Sequence, residues 1–134
     1  SSDLMSSTSF IVVPKPDGKE EIMSYDSFVA LLFKQESFRH MVDHARGGVC
    51  EEAGELSTCL KRHVVYGQEL DVMNLVEELG DLRFFMQAVM NLFNIDEQQV
   101  LQRNADKLSA RYKSLAWSAE DAANRADKNG AAEN

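Results

Sequence analysis

Two short acidic segments carry the chemistry of this sequence. Residues 51–55 read Glu-Glu-Ala-Gly-Glu, and residues 77–81 read Glu-Glu-Leu-Gly-Asp. Both follow the order acid, acid, apolar, Gly, acid. On a helix, residues three and four apart share a face. Glu52 then lies beside Glu55, with Glu51 one turn before Glu55. Glu78 lies beside Asp81, with Glu77 one turn before Asp81. If the two helices are antiparallel neighbours, up to six carboxylates converge. Two like charges about 4 Å apart repel by about 4 kcal/mol at an effective dielectric of about 20, so such convergence is costly without a counter-charge. Mg2+ and Mn2+ are hard ions that favour carboxylate oxygen and water, and two carboxylates from each helix suit them.

A single acidic stretch on a helix is usually a solvated face. Two matching stretches, each with a mid-helix glycine and each bordering an apolar stripe, favour a site instead. Gly54 and Gly80 each cost about 1 kcal/mol relative to Ala in a helix interior. The expected reason is close helix approach, or space for a ligand beside the acids. A di-iron bundle requires Glu-x-x-His pairs. Here the fourth positions are Glu55 and Asp81, and His40, His44 and His63 fall outside that spacing. His40 and His44 lie four apart with no third partner in view, and read as solvent-facing or core residues.

The elements that must position these acids are helical. One pattern runs from Ser24 to Ala45, with Phe28, Leu31, Leu32, Phe38, Val42 and Ala45 on its stripe. A second runs from Gly48 to Val65, with Val49, Ala53, Leu56, Leu60 and Val64. A third runs from Asp71 to Phe93, through Leu75, Leu79, Leu82, Met86 and Val89. A fourth opens at Asp96, an N-cap with Gln99 three residues on, and carries Leu101, Ala105, Leu108, Tyr112 and Leu115. These stripes have the helical period, and strand-type alternation is absent. Joins near Tyr66–Glu69 and Asn94–Ile95 are short, so neighbours pack antiparallel. The expected fold is an all-α bundle of four to five helices that oligomerises through helix packing. Residues 1–23 read as an arm, with Phe10–Val13 as a short extended segment before Pro14, Pro16 and Gly18. Residues 24–117 form the domain, and 118–134 a short helix and polar tail.

Composition excludes several classes. The chain has 134 residues, one domain's worth, with 22 acids against 14 bases and a net charge of -8. That balance argues against a nucleic-acid partner and against an anionic membrane surface. The longest apolar run, Phe28–Phe33, falls far short of the ~20 residues of a membrane span, and no signal peptide is visible. Cys50 and Cys59, if on one helix, lie about 13.5 Å apart, whereas a disulfide needs less than about 7 Å. Two unbridged cysteines point to the cytoplasm.

Residues 48–56 (Gly-Val-Cys-Glu-Glu-Ala-Gly-Glu-Leu), then Leu60-Lys61-Arg62, then residues 76–82 (Val-Glu-Glu-Leu-Gly-Asp-Leu), then residues 104–112 (Asn-Ala-Asp-Lys-Leu-Ser-Ala-Arg-Tyr), together resemble the MazG-like all-α nucleoside triphosphate pyrophosphohydrolases. The resemblance covers roughly residues 38–112. It implies Mg2+-dependent attack of water on the α-phosphorus of a nucleotide, with Mn2+ as a substitute, giving the monophosphate and pyrophosphate. It implies Glu52, Glu55, Glu78 and Asp81 as metal ligands, either Glu51 or Glu52 as general base, and Glu77 as an outer supporting residue. Family members assemble as homodimers or homotetramers. Their substrates include dUTP and dCTP, and one phage branch acts on (d)GTP; a purine such as dGTP is favoured here.

Asn104, Lys107 and Arg111 fall on one face of the fourth helix, with Tyr112 beside them. Two cations and an amide suit a triphosphate, and Lys61 is a further phosphate candidate. Without the resemblance, an ordinary solvated face is the better reading of that stripe. Phe38, His44, Phe84, Phe85, Asn91 and Trp117 could stack on or hydrogen-bond a base, although aromatics at helical spacing are more often core. The rival to an enzyme is a non-catalytic helical bundle that binds a nucleotide or a protein.

Overall fold

The computed structural model describes residues 9–112 and Ala123. The described residues divide into two units, one ending at Ile95 and one beginning at Asp96. The first unit opens with a β-hairpin, β1 (Phe10–Pro14) and β2 (Glu20–Ser24), paired antiparallel with Val12 opposite Ile22. Gly18, at φ +84°, supplies the left-handed turn residue. Lys15 and Glu21 form an ion pair at 3.3 Å beside this turn. The extended reading of residues 10–13 is met. The second strand was not expected, because Glu-Glu-Ile-Met-Ser lacks clean alternation and is recruited by its partner.

Helix α1 (Tyr25–Leu32) follows directly. It is far shorter than the expected Ser24–Ala45 helix. The chain leaves helical geometry at Phe33, which is extended, and re-enters at α2 (Phe38–Val64). Ser37 caps that start, its hydroxyl accepting from the His40 N–H at 3.3 Å. The expected break between Ala45 and Gly48 does not occur, and α2 runs straight through Gly47 and Gly48. Tertiary packing compensates the weak helix propensity of the glycine pair.

Helix α2 ends in a turn where Gly67 is left-handed (φ +67°) and the Gln68 N–H reaches back to the Arg62 carbonyl at 3.1 Å. Helix α3 (Val72–Leu92) then returns alongside α2, capped by Asp71, whose carboxylate accepts from the Asn74 N–H at 3.0 Å. The core of this unit is Val29, Phe33, Ala45 and Ala88, with Tyr25, Phe28, Met41, Phe84, Phe85, Val89 and Leu92 packed against it. On α1 the buried position is therefore Val29, and Phe33, just past its end, is buried as well. Leu31 and Leu32, expected on the apolar stripe, are exposed. A helix of two turns presents only a narrow buried face, and these two leucines fall off it.

The second unit contains α4 (Glu97–Arg111), started by Asp96, whose carboxylate accepts from the Gln98 N–H at 3.2 Å. Residues 118–134 lie outside the described residues, apart from Ala123. The described chain is mostly helical, with four helices, as the helical periodicity predicts. Among the described residues no helix is long and apolar enough to cross a membrane.

Candidate functional site

Helices α2 and α3 run antiparallel in a fixed register that can be followed rung by rung. Ala45 and Ala88 share the core cluster. One turn along α2, Gly48 lies against the Phe85 ring. One further turn places Glu52 with Asp81. Near the far end, the Asn74 amide donates to the Cys59 sulfur at 3.4 Å. Each step forward on α2 is matched by an equal step back on α3. The two acidic segments sit on facing stretches of this ladder for that reason.

Among the described residues, Glu52, Glu78 and Asp81 each offer a carboxylate oxygen, and these oxygens lie within 4.8 Å of one another. Glu52 and Glu78 are half-buried and Asp81 is exposed. Glu51, Glu55 and Glu77 are exposed and outside this group. Glu52 nevertheless feels most of the set. Its carboxyl is held above the ordinary glutamate value by partial loss of solvent, then by the negative charges of Asp81, Glu51, Glu78 and Glu55. Carboxylates that disfavour one another's ionisation are a donor set suited to a hard divalent cation, which reverses that penalty.

The glycines within the acidic segments do not mediate close helix approach. A Cβ at Gly54 or Gly80 would meet nothing within 4 Å. The open space beside the acids is the remaining part of that expectation. Close approach is made instead at Gly48, where a Cβ would overlap Cγ, Cδ1 and Cε1 of Phe85.

An aromatic cluster adjoins the acids. His44 stacks on Phe33, with centroids 4.9 Å apart, and meets Phe85 edge-on at 5.7 Å. Phe84 and Phe85 are perpendicular at 5.2 Å. Phe38 lies elsewhere, edge-on to Phe93 at 5.6 Å. Asn91 serves the fold: its amide donates to the Asp26 carbonyl at 3.0 Å and its oxygen accepts from the buried Gln87 amide at 2.9 Å. Trp117 lies outside the described residues.

Two further residues, Tyr25 and Arg83, lie near the acids. Tyr25 feels the charge of Asp81, and Arg83 lies 5.2 Å from the Tyr25 ring centroid. Burial raises the Tyr25 hydroxyl above its usual value, with Arg83 opposing and Asp81 adding to the shift. A basic residue two positions after an acidic motif was the available hint for Arg83. Tyr25 offered none, because its approach depends on how α1 docks.

The expected phosphate contacts are distributed over two helices. Lys61 is on α2, its ammonium 5.9 Å from the Tyr66 ring centroid. Asn104, Lys107 and Arg111 are on α4, and Tyr112 is its C-cap. Asn104 and Lys107 are exposed, and Arg111 and Tyr112 half-buried.

In a comparison with known families, the model described as "MazG nucleotide pyrophosphohydrolase domain" matches residues 43–116. Neither the curated proteins nor the solved structures provide a match to the chain.

Proposed function

Because the chain belongs to the MazG nucleotide pyrophosphohydrolase family, we propose that it is a Mg2+-dependent enzyme that cleaves a nucleoside triphosphate to the monophosphate and pyrophosphate. The observation that carries this reading is the convergence of Glu52, Glu78 and Asp81 from two facing helices. These three would hold the ion, with Glu55 as a fourth donor, and Mn2+ would substitute. A bound ion of this kind neutralises phosphate charge and makes water more acidic.

The protein's own groups do the rest. Glu51 or Glu52 takes the proton of the attacking water. The water oxygen bonds to the α-phosphorus, the bond to the bridging oxygen breaks, and that oxygen departs with pyrophosphate. Lys61, Asn104, Lys107, Arg111 and Tyr112 bind the triphosphate, supplying donors to its charge. The substrate favoured is a purine deoxynucleotide such as dGTP, with dUTP and dCTP as alternatives.

A homodimer or homotetramer belongs to the same reading. Leu79 is 48% exposed and Met86 44% on α3, and Phe93 at its C-cap is 50% exposed; a second copy of the chain would cover them. The net charge of -8 supports the absence of a nucleic-acid partner. The two free thiols support a cytoplasmic location.

The test is to supply the purified protein with each nucleoside triphosphate and Mg2+ and to measure pyrophosphate. Release of pyrophosphate with the matching monophosphate is the expected result. No release from any nucleotide, with Mn2+ as well, would leave a non-catalytic binding bundle as the better account. Orthophosphate in place of pyrophosphate would mean attack at the γ-phosphorus and would overturn the reaction assigned here.

A further inference from the structure

Gly48 occupies the rung next to the acidic one. It precedes Glu52 by one helical turn, and its facing partner Phe85 follows Asp81 by one turn. Gly48 is buried, and any Cβ there would overlap three atoms of the Phe85 ring, including Cγ at its root. Such an overlap is relieved only by moving the ring or the helix that carries it. His44 stands against the ring at 5.7 Å and Phe84 at 5.2 Å, which limits the directions in which it can move. Packed interiors transmit displacement of this kind to the backbone. The backbone in question is the turn of α3 that ends at Phe85 and begins at Asp81.

We infer that Gly48 and Phe85 are positioning residues for the metal centre: the ring seated on the bare α2 backbone sets the α2–α3 separation that lets Glu52 meet Glu78 and Asp81. The inference rests on the proposed role of those acids as ligands. The contact acts through geometry, since neither Gly48 nor Phe85 offers a ligand atom. Outer-shell residues that hydrogen-bond to ligands typically change metal affinity about 10- to 100-fold when altered, and the lower end of that range is expected for a contact that acts through packing.

The experiment compares Mn2+ affinity, by titration calorimetry or electron paramagnetic resonance, for wild type, Gly48→Ala, Phe85→Ala and the double variant Gly48→Ala/Phe85→Ala. All are measured well below their unfolding temperatures. Gly48→Ala is expected to bind Mn2+ about tenfold or more weakly. The double variant, in which all three overlapping ring atoms are gone, is expected to bind within about threefold of Phe85→Ala, so that the added methyl costs affinity only while the ring is present. A folded Gly48→Ala with wild-type affinity overturns the inference. If Gly48→Ala does not fold, the double variant decides: folded with the affinity of Phe85→Ala, itself weaker than wild type, supports the inference, and folded with any other affinity, or unfolded, overturns it. Wild-type protein that binds no Mn2+ is a separate outcome, which refutes the metal-centre reading itself and the inference with it.

Discussion

Glu52 on α2 and Asp81 on α3 face each other across the helix pair, with carboxylate oxygens within 4.8 Å. Like charges held this close oppose one another in the fold, and a bound cation would relieve that repulsion. Asp81→Asn is therefore expected to stabilise the metal-free protein slightly, by about 0.5 kcal/mol, the scale of a like-charge helical contact. The same change should lower Mg2+-dependent pyrophosphate release by about 100-fold or more. Thermal unfolding in chelator and a turnover assay check the two halves. A variant that loses stability and keeps activity would contradict both.

The pH dependence follows from Glu52, whose folded-state value is raised by lost solvent and neighbouring charges. Between the ordinary glutamate value, about 4.3, and the raised one, the folded state holds more protons than the unfolded state. Stability from this group is lost as pH rises through that window. In chelator, wild type should lose more stability than Glu52→Gln over the window. With Mg2+ present the trend should reverse, because the ionised carboxylate is the form that binds. Unfolding temperatures across pH 4–7, with and without Mg2+, test this; equal slopes for the two proteins would refute it.

Core packing separates two neighbouring apolar residues on α1. Val29 is 0% exposed and Leu31 73% exposed. Val29→Ala should destabilise by about 2 kcal/mol through lost burial and a residual cavity. Leu31→Ala should stay within about 0.5 kcal/mol of wild type. Denaturant unfolding of both variants reads the difference, and a larger cost at Leu31 would invalidate the placement of α1.

Lys107 sits on the exposed face of α4. As a phosphate contact, its loss in Lys107→Ala should raise KM for the triphosphate about tenfold, a charged hydrogen bond's worth. Unfolding stability should remain within about 0.5 kcal/mol. Unchanged KM and kcat would return Lys107 to the solvated face that its helical spacing also describes.

The acidic segments, their spacing and their helical setting were legible in the sequence, because i, i+3 and i+4 relations are local geometry. So were the joins after Val65 and Phe93, where Gly67 and Asn94 take left-handed conformations. The interruption at Phe33–Ser37 was not, since Gly47-Gly48 looked the weaker point and only packing against Phe85 shows why the helix survives there. The helical spacing of the α3 stripe is legible in the sequence, but its expected burial in a core is only partly met. Leu79, Met86 and Phe93 remain exposed, while Gln87 and Ala88 are buried.

The sequence by itself determined that Glu52 pairs with Glu55 on one helix and Glu78 with Asp81 on another, because covalent spacing and helical pitch leave no freedom there. Tertiary structure alone decided which of those acids meet. The antiparallel register from Ala45–Ala88 to Cys59–Asn74 places Glu52 with Glu78 and Asp81, and leaves Glu55 outside the group. That register depends on contacts between residues tens of positions apart, whose packing no local pattern encodes.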